Sequence, residues 1–385
     1  MAQLRFSFQD PKPFDVDICF VFFGDIRFDS RLQNIVRSFT KNSFRVRVVQ
    51  AGDEDGAWRY EQAEIISVKV PTERRGVAKF GSFYFSILPK VSSILAKIYC
   101  AEDVFSLPVA AHAAKKHRGE LFYDSREIYS AIGALLGKKV RQKIWSTIEK
   151  RYIHKASVFC TGDLDADLLA TSLSIEKPEV IYNYPNLQPI KRTNLLRQKL
   201  FLEDSATLLI YQGMISDGRG LEIMIRAMQS LPSTYYFVLF GDGNLKSSLQ
   251  QLVESLSLSE RVFFAGKVPY EELLDHTASA DIGISLIEPI SKSYELALPN
   301  KLFEYTLAGI PSLVSNLPAL KDTVEKYKIG KVAEHDSPTS IIESILHLNK
   351  EKEYYRANCQ RASRVLNWQA QEVRLIDFFK SKLPQ

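Results

Sequence analysis

The sequence predicts an α/β protein of two doubly wound domains whose parallel sheets face a cleft. Three observations carry this. The chain has 385 residues, too many for one ordinary core and suited to two domains of roughly 100–200 residues each. Short apolar runs alternate with longer amphipathic stretches, the pattern of a parallel sheet covered by helices on both faces. The alternation breaks once, at residues 182–189 (YNYPNLQP). Two prolines there forbid continuing a helix or a central strand. The expected units are 1–187, 188–365 and a C-terminal helix, 366–385, that returns to the first domain.

In the first half, residues 18–23 (ICFVFF) read as a buried strand, 24–29 as its following loop, 30–40 as a helix and 45–50 as the next strand. Val104 with Phe105, then 121–123, 158–160 and 180–182, continue the strand series. In the second half, strands fall at 208–211, 236–240, 262–264, 282–286 and 312–314. Helices fall at 220–229, 245–256, 301–307, 320–326 and 337–349, the last starting beside Pro338. Residues 368–383 (WQAQEVRLIDFFKSKL) form an amphipathic helix with Trp368, Leu375, Ile376 and Phe379 on one face.

Hydrophobic residues make up 45% and charged residues 25% of the chain, as in ordinary globular proteins, which sets aside disorder and coiled coil. A net charge of +5 falls short of the dense basic stripe of a nucleic-acid binder. It suits an anionic small ligand or an anionic membrane surface. Cys19, Cys100, Cys160 and Cys359 form no CxxC pair, which points to a reducing, cytoplasmic setting without a disulfide framework. The first 14 residues lack the pattern of a secretory signal, and no apolar run reaches the roughly 20 residues of a transmembrane helix.

In an open parallel sheet, ligands bind beyond the carboxyl ends of the strands. Three unusual segments follow strands in the second half. In residues 211–228 (YQGMISDGRGLEIMIRAM), Gly213 lets a ligand approach the backbone, and Arg219 with Gly220 opens a helix, a sensible phosphate site. The bland alternative is a tight turn with a surface arginine. In residues 240–249 (FGDGNLKSSL), Gly241 and Gly243 start a dinucleotide fingerprint, but Lys246 occupies the third glycine position, so a redox reading weakens. In residues 297–311 (ALPNKLFEYTLAGIP), Leu298 and Pro299 lead into a helix with Asn300 as N-cap. Its free amides suit a diphosphate. Glu304, one turn inside, suits a ribose diol. A capped helix with a dipole-favoured acid is the alternative.

The segments GMISDGRGLE, FGDGNL, FFAGKVPYEELL, SADIGISL and LPNKLFEYTLAGIPSLVS stand in an order and spacing that resemble the donor half of GT-B retaining glycosyltransferases, nearest to family four, the glycosyl transferases group 1. The resemblance spans residues 211–330 and extends more loosely over the first half. It implies two Rossmann-like domains and a nucleotide-sugar donor. By this resemblance Glu304 matches the second acid of an E-x7-E motif, which binds the donor ribose. Asn300, Lys301 and Leu302 fall where backbone groups meet the donor diphosphate, Arg219 falls on the family's phosphate-binding lysine, and Val268 and Pro269 flank the base. Two positions depart from the pattern. Leu296 replaces the first acid, with Glu295 as a neighbouring substitute, and Met214 stands where many members carry an arginine. In the first half, Gly24 lies on the loop near donor phosphates and acceptor, followed by Asp25, Arg27 and Asp29. Asp124, Arg126 and Glu127 follow a strand into the cleft, Arg126 standing where the family often has a histidine. Arg126 suits a negative phosphate or an anionic acceptor. An ion pair with Asp124 or Glu127 is the alternative.

The resemblance implies transfer of a hexose-like sugar from a UDP- or GDP-sugar with retention at the anomeric carbon. Arg219, the helix start at Asn300 and Lys301 would stabilise the leaving diphosphate without a metal and without a cofactor. Paired acids at Asp15 and Asp17, at Asp53 and Asp55, and at Asp163, Asp165 and Asp167 raise a metal reading. Only the last group follows a strand, and helix-opening acids are the preferred account of it. Residues 74–90 interleave Arg74, Arg75, Lys79 and Lys90 with Phe80, Phe83, Tyr84, Phe85, Ile87 and Leu88, and Lys138, Lys139, Arg141 and Lys143 precede Trp145. This suggests contact with the anionic inner face of a plasma membrane and a lipid-linked or saccharide acceptor. Aromatics packed as core with solvated charges are the alternative. Two other functions stay open: a sugar-nucleotide epimerase or phosphorylase of the same shape, and a non-catalytic donor-binding protein.

Overall fold

The computed structural model describes residues 14–70, 77–128 and 139–383. Two sheets form. The first runs through β1 (Val16–Phe22), β2 (Val46–Gly52), β3 (Gly56–Tyr60), β4 (Ala63–Lys69), β5 (Ala96–Ala101), β6 (Glu120–Ser125), β7 (Ser157–Cys160) and β8 (Glu179–Val180). Its spatial order is β3-β4-β2-β1-β5-β6-β7-β8. Every pairing is parallel except β3 with β4. The second runs through β9 (Thr207–Gln212), β10 (Tyr235–Phe240), β11 (Val262–Gly266), β12 (Ile282–Ser285), β13 (Ser312–Ser315) and β14 (Gly330–Ala333). Its order is β11-β10-β9-β12-β13-β14, parallel throughout.

Strands buried on both faces read as unbroken apolar runs, and residues 18–22 of β1, 208–211 of β9 and all of β10 do so. Val104 and Phe105, expected as a strand, instead lie in the turn after β5, their side chains packed into the core. Residues 180–182 give a strand only at Glu179–Val180. Asn300 is the first helical residue of Asn300–Leu307 rather than its cap, because Pro299, in extended backbone, takes the cap position.

Helices cover both faces of the first sheet. On one face Ile18, Phe20, Ile35 and Phe39 pack with Trp368, Leu375, Ile376 and Phe379 of the last helix, Trp368–Lys382. The Phe379 ring stacks on Phe122 at 4.1 Å, and Trp368 Nε1 donates to Ser38 Oγ at 2.9 Å. Trp368 N–H donates to Pro185 O, and Gln369 and Gln371 accept from the backbone amides of Leu187 and Tyr182. The returning helix thereby fastens the crossover segment that joins the two sheets.

On the other face the aromatic-basic segment is mostly core. Phe83 and Ile87 are buried, and Phe80 stacks on Phe105 and meets Trp145 edge-on at 4.6 Å. Phe85, Lys90, Lys139, Val140, Arg141 and Lys143 remain exposed. Arg74, Arg75, Lys138 and the Lys79 side chain lie outside the described residues. Among the described residues no helix is long and apolar enough to cross a membrane.

On the inner side of helix Lys139–Ile153 Glu149 is buried, and its carboxylate accepts from Tyr123 Oη at 2.8 Å. Burial pushes its pKa up to about 7, against the Tyr123 hydrogen bond, from an unfolded value of 4.5. A carboxyl raised on folding contributes stability fully below its unfolded pKa and loses it as pH rises through the folded one. Glu149→Gln keeps an acceptor for Tyr123 and escapes that loss. At pH 8.5 it should be more stable than wild type by up to about 3 kcal/mol, with little difference at pH 4.5. Urea midpoints at the two pH values check this, and an equal difference at both contradicts it.

Candidate active site

The carboxyl ends of both sheets open onto one trough. Three adjoining cavities, of about 350, 300 and 420 Å³, run along it. The first and second share Gln212, Gly213, Met214 and Leu273, and the second and third share Arg219, Pro299 and Asn300.

The first cavity is built by backbone approach. β9 and β10 lie side by side, and their loops stack: Gly213 N–H donates to Phe240 O and Ile215 N–H to Asp242 O. Gly241 has φ +136°, and a Cβ there would lie 1.8 Å from Gly213 O. A Cβ on Gly243 would lie 2.1 Å from Ile215 O. These glycines therefore serve loop-on-loop packing, which explains a GxG without its third member. Val268 lines this cavity with Lys267 and Leu273. Pro269, expected beside it, is exposed at the cap of helix Tyr270–Ala278 and lines none of the three cavities.

The second cavity holds the cations. Lys301 is 8% exposed, and its Nζ sits 3.8 Å over the Tyr211 ring. Burial drives its pKa well below the usual lysine value; neighbouring Arg219 pushes the same way and Glu304 opposes. Arg219 lies over the Tyr294 ring at 4.8 Å, and its Nε is buried without a hydrogen-bond partner. Among the described residues neither Arg219 nor Lys301 has an ion-pair partner within 4.0 Å. The helix opening at Gly220, expected to attract an anion, is already occupied, since Gly220 N–H donates to Glu288 Oε1 at 3.1 Å. An incoming anion thus meets the Arg219 side chain rather than that helix end.

Glu304 lines the same cavity. Burial raises its carboxyl, and a hydrogen bond from Gln212 Nε2 lowers it. Gln212 is fixed in turn by Thr277 Oγ1, which donates to its Oε1 at 2.8 Å. At the start of helix Asn300–Leu307, Leu302 N–H donates to Pro299 O at 3.1 Å. The Asn300 and Lys301 amides precede the first helical acceptor and face outward from the helix start. Leu302, expected among the backbone contacts, has its amide engaged and its side chain in the core.

The third cavity lies between the halves. Leu298, Pro299, Asn300, Tyr294 and Arg219 line one wall, and Phe28, Asp29, Arg31, Arg126, Glu127 and Asp165 the other. Arg126 is held by its own domain: Nη1 donates to Asp29 Oδ2 at 2.6 Å, Nε to Asp124 Oδ2 at 3.1 Å, and Nη2 to Glu102. Arg31 grips Asp124 with two bonds of 2.7 and 2.8 Å. Burial pushes Glu102 up to about 8, with Arg126 opposing. Arg126 therefore serves as an internal counterion and not as an open anion receptor, the alternative that its neighbours Asp124 and Asp29 decide. Gly24 is tucked against the Phe22 ring and lines none of the three cavities. Glu295, offered as a substitute acid, points to Lys292 Nζ at 2.8 Å on an exposed turn, one position past Tyr294, which does face the cavity. Among the described residues no group of three or more His, Cys, Asp or Glu side chains is placed to hold a metal ion.

Gln212, Thr277, Tyr211, Tyr294 and Glu102 were not singled out from the sequence. Only Gln212, next to Gly213 at a strand end, carried a local signal.

Residues 192–365 match the profile of the family described as Glycosyl transferases group 1. The chain is similar to that family over its second half. It has the GT-B fold, and it resembles Anabaena HepE, solved in complex with UDP-glucose, at a TM-score of 0.74 and 15% identity over 95% of this chain and 100% of that one. A putative colanic acid biosynthesis glycosyl transferase of Escherichia coli, WcaI, is 24% identical over 56% of this chain and 60% of its own length. A Campylobacter jejuni enzyme described as N-acetylgalactosamine-N,N'-diacetylbacillosaminyl-diphospho-undecaprenol 4-alpha-N-acetylgalactosaminyltransferase is 30% identical over 27% of this chain and 28% of its own. These matches span less than two thirds of either relative.

Gly241→Ala tests the stacked loops of the second sheet. The new methyl group collides with the Gly213 carbonyl at a φ that disfavours any side chain, so the variant should lose roughly 2–4 kcal/mol of stability. Denaturant unfolding checks this, and wild-type stability contradicts the close approach.

Proposed function

We propose that the chain transfers a sugar from a nucleoside-diphosphate sugar to a lipid-linked or saccharide acceptor. One observation carries this reading: Arg219, Lys301, Asn300 and Glu304 share one cavity, with cations that have no ion-pair partner among the described residues beside a carboxylate held ready by Gln212. A diphosphate supplies the charge that Arg219 and Lys301 lack, and the Asn300 and Lys301 amides add directed donors. Glu304 accepts from the two hydroxyls of a ribose. The base then falls in the cavity of Gly213, Gly241 and Val268, and the sugar in the cavity between the halves. UDP and GDP are the candidate nucleotides, and the UDP-glucose complex of HepE favours UDP.

As the leaving diphosphate separates, Arg219 and Lys301 stabilise its developing charge, and no metal is required of the residues present. Retention at the anomeric carbon follows the family resemblance: the acceptor attacks on the face the phosphate leaves, and the phosphate oxygen takes its proton. The acceptor reading draws on the two relatives' names, colanic acid biosynthesis and a diphospho-undecaprenol substrate. Exposed Lys139, Val140, Arg141 and Lys143 give the first domain a basic edge suited to an anionic membrane face.

Titration calorimetry with UDP and GDP tests the donor site. One nucleotide should bind to wild type, and Glu304→Ala should weaken it at least about tenfold, the worth of a lost charged hydrogen bond. Unchanged affinity in Glu304→Ala places the ribose elsewhere. Once a productive sugar nucleotide is in hand, proton NMR of the product should show the donor's own anomeric configuration; an inverted linkage removes the retaining mechanism.

A further inference from the structure

We propose that Asp165 and Glu127 form the acceptor-binding pair of the cleft and select an uncharged polyol end over an anionic one. The inference rests on the donor reading of the opposite wall and adds the chemistry of the second substrate.

The acids of residues 163–167 divide on folding. Asp163 accepts from Tyr182 Oη, and Asp167 pairs with Lys177 at 2.7 Å on the surface. Asp165 alone of the three lines the cavity between the halves, beside Glu127. Its placement is specific. Gly162 leaves it room, since a Cβ there would lie 3.2 Å from Asp165 Oδ2, and Thr161 Oγ1 donates to it at 3.4 Å. Among the described residues neither Asp165 nor Glu127 has an ion-pair partner within 4.0 Å.

The rest of this wall offers an anion no welcome. Among the described residues its guanidiniums, Arg31 and Arg126, are committed to Asp124, Asp29 and Glu102, so Asp165 and Glu127 are left uncompensated. Burial lifts Asp165 to about 6, with Glu127 adding to the rise. The protein mass around the cleft raises Glu127 as well, while Arg219, across the gap, offsets part of it. Carboxylates that line a cleft without an ion-pair partner gain from hydroxyl donors. A sugar with adjacent hydroxyls supplies them, and an acceptor bearing a carboxylate or phosphate at that point is repelled. The two walls thus differ in kind: cations and helix amides for the leaving group on one side, hydrogen-bond acceptors for a nucleophilic hydroxyl on the other.

The test uses the whole chain loaded with whichever of UDP or GDP binds it, and saturation-transfer NMR. The probes are methyl β-glucoside and methyl β-galactoside, each beside its uronate, which differ only in carrying a carboxylate at C6. At pH 7.5 at least one neutral glycoside should bind tenfold or more tightly than its uronate. In Asp165→Asn with Glu127→Gln, an isosteric pair of changes, that gap should fall below threefold while the nucleotide still binds at least as tightly as to wild type, which also reports an intact fold. Equal binding of glycoside and uronate in wild type, an unchanged gap in the double variant, or no binding of any probe to the loaded protein overturns the acceptor pair and leaves the donor site standing. Failure of both nucleotides to bind overturns the donor reading and this one with it.

Discussion

The arrangement turns on two cations that, among the described residues, have no ion-pair partner within 4.0 Å. Lys301 is buried over Tyr211, and Arg219 is laid across Tyr294 with a buried, unsatisfied Nε. Desolvating a charge without a counterion is costly, and a chain selected for stability alone would place a carboxylate there. It does so elsewhere in the same cleft, where Arg31 and Arg126 are ringed by Asp29, Glu102 and Asp124. The contrast between arginines matched by acids on one wall and cations not so matched on the other gives the trough its polarity.

The scaffold behind the cations is rigid where position matters. Gly213 and Gly241 let two strand-end loops lie backbone on backbone, and Tyr211 Oη fixes the Met214 carbonyl at 2.6 Å. The chain Thr277–Gln212–Glu304 orients one carboxylate through buried neighbours. Around the first sheet, the helix Trp368–Lys382 returns to cover Phe122 and Phe39 and ties down the crossover at Tyr182, Pro185 and Leu187. Both walls of the trough are therefore set by structure outside it.

Much of this was legible in the sequence wherever function and fold depend on neighbours along the chain. β1 and β10 announce themselves because strands buried on both faces are continuously apolar. Arg219, Asn300 and Glu304 stand out because strand-loop-helix segments carry them at fixed offsets. β5 was not legible: its sequence, AKIYCA, mixes a surface lysine into a core strand, whereas Val104 and Phe105 just beyond look more strand-like and are core side chains on a turn. The β3–β4 hairpin has an exposed outer strand with little apolar pattern. The fate of Arg126 was open to local reading, since Asp124 is two residues away, but Glu102 and Asp29 reach it from separate loops. Asp163 and Asp165 do open a helix, Asp163–Leu173, as their position after a strand suggests; only the tertiary arrangement brings Asp165 alone of the three acids to the cavity. Glu295 failed as a substitute acid because a shift of one position on a short helix turns a side chain away from the cavity.

The most direct measurement is a crystal structure of the chain grown with UDP. Its β-phosphate should lie within hydrogen-bonding distance of Arg219 and the Asn300 or Lys301 amide, with the ribose hydroxyls on Glu304 and the base beside Val268. Nucleotide bound anywhere else on the protein, or in this trough with its phosphates turned from Arg219 and Lys301, would contradict the account.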